Sequence, residues 1–361
     1  MKNYIVILSV LVNGLSAWGA DYLSIPAVAK LQLNAPLKKM RRESFGFSEN
    51  EKLPTFAGQL VLVDDVKNPQ ALNVIVQVRG QSSRDELDFP KLKVKLVKDT
   101  AQPKADVGFD SLRIGTHGFD KDSTDYTMLG RLASSAAIYR EATAYDVLQV
   151  LNVTTLKYRR AKITYTDTDL KTQKPITKPA LLLESDKAAA KRLGGEVIDD
   201  KMIAKQIAQT LIPIEELTKA IMAETLLGNS DFRIPMTQNE KDQKYVFVHN
   251  LTVVKLSETS ATLIVGDFDL ANAVTNYKEL TPAPDSDLYP AGTTLNYMWM
   301  LKTLSDLKIN VGAEIFNKVA TDFIAHKEKV LSTINNANED KVGKDVFKHT
   351  VMQFYEILEK Q

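Results

Sequence analysis

The chain of 361 residues contains no cysteine, which excludes disulfides, thiolate catalysis and cysteine-ligated zinc. Histidine is scarce as well: His117, His249, His326 and His349 stand without metal-ligand spacing. Beyond the first residues, no segment approaches the roughly 18 consecutive apolar residues of a membrane helix. Charge of one sign is also missing. A formal net charge of +1 gives no global attraction to nucleic acid or to an acidic membrane surface, and the short run Lys38-Lys39-Met40-Arg41-Arg42 reads as a solvated face. There is no internal repeat, no long low-complexity tract and no Walker pattern.

What remains is an ordinary globular composition, 44% hydrophobic and 25% charged, in a chain long enough for one large core or two lobes. At the start, Lys2 precedes an apolar stretch from Tyr4 to Leu15, broken only by Ser9, Asn13 and Gly14. Small residues follow, and Ala17-Trp18-Gly19 fits a small-x-small cleavage site. Residues 1–19 read as a secretory signal peptide. The expectation is an exported bacterial protein, periplasmic or secreted, with no transmembrane anchor after cleavage.

Residues 20–55 mix prolines and charges and read as an extended lead-in. Strand-like runs follow at Gln59–Val63, Asn73–Val78, Leu92–Val97 and Leu112–Ile114, predicting an antiparallel sheet. A helix is predicted over 127–150, then strands at Ala161–Tyr165 and Ala180–Glu184. From 185 the pattern is helical over 185–194, 199–210 and 213–227. Strands at Tyr245–His249 and Thr262–Val265 come next, and then a helical tail over 295–335 and 343–360. A β-rich part over 56–184 and a helix-rich part over 185–361 predict an α+β fold in two lobes.

Three groups of residues could carry chemistry. Arg79-Gly80-Gln81-Ser82-Ser83-Arg84 follows a strand, and a small-residue turn beside cations can hold a phosphate through backbone N–H groups. Gly80, Ser82 and Ser83 would form that cradle beside Arg79. Lys91, Lys93 and Lys95 then share one strand face, where one of the three could turn into a cleft, ordered by Glu141 on the next helix. The third group is a pair of acidic turns, Gly228-Asn229-Ser230-Asp231-Phe232 and Gly266-Asp267-Phe268-Asp269, with Asn250 between them. Magnesium takes oxygen ligands from one or two carboxylates plus phosphates and water, and phosphoryl transfer places a carboxylate at the nucleophile. Capping and turn chemistry would account for the same residue types.

In their order, these residues resemble the CotH kinase-like proteins of spore coats and their exported bacterial relatives. Arg79-Gly80 through Lys91-Leu92-Lys93-Val94 resembles that family's RG loop and following strand, and Leu112-Arg113-Ile114-Gly115-Thr116-His117 the next strand. Tyr139-Arg140-Glu141-Ala142-Thr143-Ala144-Tyr145 resembles its helix, and Leu181-Leu182-Leu183-Glu184-Ser185-Asp186 its strand ending in Glu. Gly228–Phe232, His249-Asn250 and Asp267-Phe268-Asp269 resemble its G-N-T-D-W, H-N and D-F-D motifs. The resemblance spans residues 79–269. It implies an atypical protein-kinase-like fold binding ATP and Mg²⁺ between a β-rich N-terminal and a helix-rich C-terminal lobe. Lys93 would stand at the ATP phosphates, paired with Glu141. Asp231 would be catalytic, and Asn250 and Asp267 metal ligands, with Asp269 a further ligand or orienting group. The implied partners are a nucleotide and a protein or envelope acceptor. Two other readings use the same residues: a kinase-shaped scaffold without catalysis, and a metal-dependent phosphoester hydrolase.

Overall fold

The computed structural model describes residues 21–47, 51–64, 70–97, 107–170, 174–234, 248–283, 293–337 and 341–361. The expected signal peptide lies outside them, as does most of the strand expected at Tyr245–His249. The fold is α+β. Its first part, expected as an antiparallel sheet, closes into a seven-stranded barrel whose pairings are antiparallel except that of β1 with β6: β1 (Ala29–Ala35), β2 (Phe56–Leu62), β3 (Gln70–Val78), β4 (Leu92–Leu96), β5 (Ser111–Gly115), β6 (Tyr158–Asp167) and β7 (Ile176–Glu184), in the order β1-β2-β3-β4-β5-β7-β6. Closure is made by a parallel pairing of β1 with β6, from Ala29 opposite Ala161 to Ala35 opposite Asp167.

The supposed lead-in is therefore part of the barrel. Ala29-Lys30-Leu31-Gln32-Leu33-Asn34-Ala35 alternates with a period of two, and its apolar residues are buried. Helix α1 (Leu37–Ser44) follows it directly. Each strand sends at least one fully buried side chain inward, namely Leu33, Leu60, Val76, Val94, Leu112, Ile163 and Leu182, all 0% exposed. These belong to one contiguous core.

The second core is mostly helical. It comprises α3 (Ala136–Val150), α4 (Asp186–Arg192), α5 (Lys201–Thr210), α6 (Ile214–Leu226), α8 (Leu295–Val311), α9 (Ala313–Ala325), α10 (Lys327–Asn336) and α11 (Lys341–Leu358), with a small sheet of β8 (Glu196–Val197), β9 (Leu251–Ser257) and β10 (Ser260–Val265). Two short helices, α2 (Gln81–Glu86) and α7 (Asn272–Thr275), lie beside the site. Strand β7 serves both cores, because Leu182 faces the barrel while Leu181 and Leu183 face the helices. That double burial explains its unbroken apolar run. No helix among the described residues is long and apolar enough to cross a membrane.

The helix expected over 127–150 begins only at Ala136. Before it, Gly130 adopts φ +88° with the Tyr277 ring 2.4 Å from where a Cβ would stand, and this turn delivers Arg131 to the site. His117 is 2% exposed, with its ring 4.8 Å from Phe89 and 5.7 Å from Tyr165. Neither of its nitrogens has a hydrogen-bond partner among the described residues. Burial pushes this imidazole down to about 4.

The unfolded chain takes up the His117 proton near pH 6.5, so between about 6.5 and about 4 it binds more protons than the folded one. Stability should therefore fall by roughly 3 kcal/mol as pH drops through that window, and be unaffected above it. His117→Phe keeps the ring stack and should flatten this part of the profile. Urea midpoints at pH 7 and pH 5 check it, and equal losses in both proteins would show that His117 is not responsible.

Candidate functional site

The first acidic turn is placed by the end of α6. Gly228 has φ +65°, and a Cβ there would lie 2.7 Å from both Asn272 Cβ and Asn296 Oδ1, so only glycine lets the chain turn at this point. The turn exposes Asp231. A pair of backbone bonds between Arg233 and His249, at 3.1 and 2.9 Å, then sets His249 and Asn250 beside it. Asn250 Nδ2 donates to Asp231 Oδ2 at 2.9 Å, and His249 Nε2 lies 3.6 Å from the same oxygen.

Burial would raise the Asp231 carboxyl, but the bonds from His249 and Asn250 outweigh it and hold it below the usual carboxylate range. The same bond to Asp231 raises His249. At neutral pH, Asp231 is therefore an ionised, half-exposed carboxylate.

The second turn leaves the buried strand β10. Phe268 is 0% exposed and meets Tyr145 of α3 edge-on at 5.0 Å, which anchors the turn. Asp267 takes φ +67° and Asn250 φ +58°, both in the left-handed region. Asp and Asn tolerate that region better than other residues with a Cβ, and such conformations gather at functional sites. Around Asp267 lies a cleft of about 190 Å³, lined by Arg79, Arg113, Glu141, Asp186, Asn250 and apolar neighbours. That is below the roughly 300–1,000 Å³ of pockets that enclose a drug-sized ligand. It suits a phosphate group with its counter-ion, the rest of a larger ligand lying outside.

Lys93 is not in the cleft. Leu92 and Val94 point into the barrel, 2% and 0% exposed, so the period of two sends Lys93 outward into solvent with Lys95. Lys91, one residue before the strand and 5% exposed, is the lysine that meets the acidic turn. Its ammonium lies 2.5 Å from Asp267 Oδ1 and 2.9 Å from Asp269 Oδ2. Glu141 pairs with neither lysine within 4.0 Å. Buried on α3 at the cleft wall, it is pushed up to about 7, burial outweighing the charge of Lys91. Desolvation would raise Asp267 too, but Lys91 and Arg79 hold it well below the usual carboxylate range.

Asp269 is engaged from a second side. Arg131 Nε donates to its Oδ2 at 2.8 Å, Arg131 Nη2 donates to Ser82 Oγ at 2.7 Å, and Arg131 Nη1 pairs with Glu86. Asp269 is thus the anchor of an internal ion-pair network and does not line the cleft. The expected phosphate cradle is corrected in the same way. Residues 81–86 form α2, the Ser83 hydroxyl donates back to the Arg79 carbonyl at 2.9 Å, and Ser82 is taken by Arg131.

Gly80, at φ +76°, starts the helix, and a Cβ there would meet Ser83 Oγ at 2.5 Å. Arg79 does face the cleft as expected, and its Nε has no hydrogen-bond partner among the described residues. Arg113, unassigned from the sequence, lines the cleft too and pairs with Asp186.

The structure thus brings Arg79, Glu141, Asn250 and Asp267 to one cleft, with Asp231 on its Asn250 side, and leaves Lys93, Ser82 and Ser83 out. No group of three or more His, Cys, Asp or Glu with metal-holding geometry occurs among the described residues. A magnesium ion needs less: the Asp267 carboxylate, the Asn250 amide oxygen, and phosphate and water oxygens match its preference, and the Arg79 guanidinium in the cleft wall suits a phosphate. The residues present fit that pair of groups.

No protein-family model and no curated protein matches the chain. Among solved structures it is similar to the Helicobacter pylori proinflammatory kinase CtkA, at 11% identity and a TM-score of 0.35, over 74% of this chain and 90% of that one. A likeness at that level carries no conclusion about the reaction.

Proposed function

We propose that this chain is an exported Mg²⁺-dependent phosphotransferase that moves a phosphoryl group from ATP to a hydroxyl of a protein or envelope acceptor. One observation carries the reading. Asp267, pinned by Lys91, shares a cleft with Asn250 and with an arginine whose Nε lacks a partner, while ionised Asp231 is bonded to that same Asn250. The order of motifs along residues 79–269 supports it.

Arg79 and Arg113 would meet the phosphates from the barrel side, where fixed guanidinium groups compensate charge without needing to reorganise. Asp267 and Asn250 would hold the metal, whose contribution when bound is to neutralise phosphate charge. Lys91 is a structural counter-ion that aims Asp267, not the phosphate ligand expected of Lys93. Asp231 would accept the acceptor's hydroxyl proton as that oxygen bonds to the terminal phosphorus and the bond to the diphosphate oxygen breaks. Asp269 orients the turn through Lys91 and Arg131.

Incubation with γ-labelled ATP, Mg²⁺ and envelope extract tests the reading. Transfer of label that EDTA stops is the expected result. Turnover of a model phosphoester without ATP would favour a hydrolase, and neither activity, with no rise in melting temperature on adding ATP and Mg²⁺, would leave a scaffold.

A further inference from the structure

Beneath the two acidic turns lies a carboxylic acid that the proposed chemistry does not use. Glu224, near the end of α6, is 0% exposed. Its Oε2 accepts from Asn229 Nδ2 at 2.8 Å, and its Oε1 has no partner among the described residues. Asn229 is also 0% exposed. Its other contacts reach both turns: Nδ2 donates to the Asp267 carbonyl and Oδ1 accepts from the Asp231 N–H, each at 3.4 Å. Reversing this amide would put NH₂ against the Asp231 N–H and oxygen against the Asp267 carbonyl. Only one orientation satisfies both turns, and Glu224 Oε2 selects it.

We infer that Glu224 and Asn229 are positioning residues that set the Asp231 and Asp267 carboxylates in register, Asn229 bridging the two turns and Glu224 fixing the orientation of its amide. A buried acid with one unpartnered oxygen is a poor device for stability, since such groups cost free energy unless paired. Burial pushes the Glu224 carboxyl well above the usual carboxylate range. Glutamine keeps a side-chain oxygen able to accept from Asn229 Nδ2, as Glu224 Oε2 does at 2.8 Å, whereas leucine of similar size removes it.

This inference goes beyond the proposed reaction, because it concerns the placement of two side chains whatever they act on. Crystal structures of ligand-free wild type, Glu224→Gln and Glu224→Leu test it first. In Glu224→Leu the Asn229 amide should leave the Asp267 carbonyl, and the two carboxylates should move by more than about 0.5 Å relative to each other. Glu224→Gln should keep the wild-type placement. The second readout is affinity for Mn²⁺–ATP, expected to fall by about 10–100-fold in Glu224→Leu and to be restored in Glu224→Gln.

A Glu224→Leu structure with both turns unmoved would overturn the inference. So would a Glu224→Gln protein displaced as far as Glu224→Leu. Wild type that binds no Mn²⁺–ATP contradicts the phosphotransferase reading alone, leaving the structural comparison to decide this one.

Discussion

Asp231→Asn should lower phosphoryl transfer by about 10²–10⁴-fold, the range associated with a positioned general base, while leaving affinity for ATP and Mg²⁺ unchanged. Asparagine is nearly isosteric and keeps an oxygen for Asn250 Nδ2, which now donates to Asp231 Oδ2 at 2.9 Å. It tolerates the turn, so the protein should fold normally. The substitution removes the negative charge and, with it, the ability to take a proton.

A second signal does not depend on activity. His249 is raised chiefly by its bond to Asp231, so its titration, followed by NMR, should shift down in Asp231→Asn. Full activity in the variant would remove Asp231 from the chemistry. An unshifted His249 would remove the pair.

The other large effect separates two lysines that look equivalent in the sequence. Lys91→Met takes the ammonium from between Asp267 and Asp269 and leaves two carboxylates facing each other, balanced by Arg131 on the Asp269 side and by the more distant charge of Arg79 on the Asp267 side. Lys91 is buried but Asp267 is 37% exposed, so the loss should fall below the roughly 3 kcal/mol of a fully buried pair, at about 1–3 kcal/mol, and Asp267, no longer held down by Lys91, should titrate at higher pH. Transfer should be lost with it, because the metal-facing carboxylate is no longer aimed. Lys93→Met removes an exposed side chain from the outer barrel face and should stay within about 0.5 kcal/mol of wild type with activity intact. Chemical denaturation and transfer assays on both variants decide. Two equal losses, or a larger one at Lys93, would contradict the placement of Lys91.

Much of this arrangement could be read from the residues because it is local. The acidic turns end elements whose apolar patterns are plain, β10 and α6, and the alternation of Leu92, Val94 and Leu96 marks a strand facing a core. The choice of lysine was not local. Lys91, Lys93 and Lys95 follow one period, and only the packing of the Asp267–Asp269 turn, about 175 residues on, covers the first of them. Barrel closure escaped for a similar reason. The alternation in Ala29–Ala35 is present, but its parallel partner lies 132 positions later at Ala161, and no sequence period announces a parallel pair so distant.

Arg131 gave no signal at all, being one charge in a polar segment, and its role comes from the Gly130 turn and from Glu86 and Asp269. Ser82 and Ser83 could be read as a phosphate cradle because a small-residue turn beside cations can hold a phosphate, although a plain turn between strands uses the same residues. Here their hydroxyls are taken by Arg131 and by the backbone. Glu224 and Asn229 sit in plain helical and turn contexts, and burial alone makes them unusual.

The central claim is that Asp267, with Asn250, Arg79 and Arg113 around it, receives the phosphate end of a nucleotide together with a divalent ion. Calorimetric titration of ATP into wild type and Asp267→Asn, each with and without Mg²⁺, tests it directly. Asparagine accepts the left-handed backbone at this position, so a loss reports the carboxylate and not the turn. The account predicts one binding event in wild type that strengthens with Mg²⁺, and in Asp267→Asn at least about a tenfold loss confined to the Mg²⁺-dependent part. Absence of binding in wild type, or an Asp267→Asn protein with the same Mg²⁺ dependence, would contradict it.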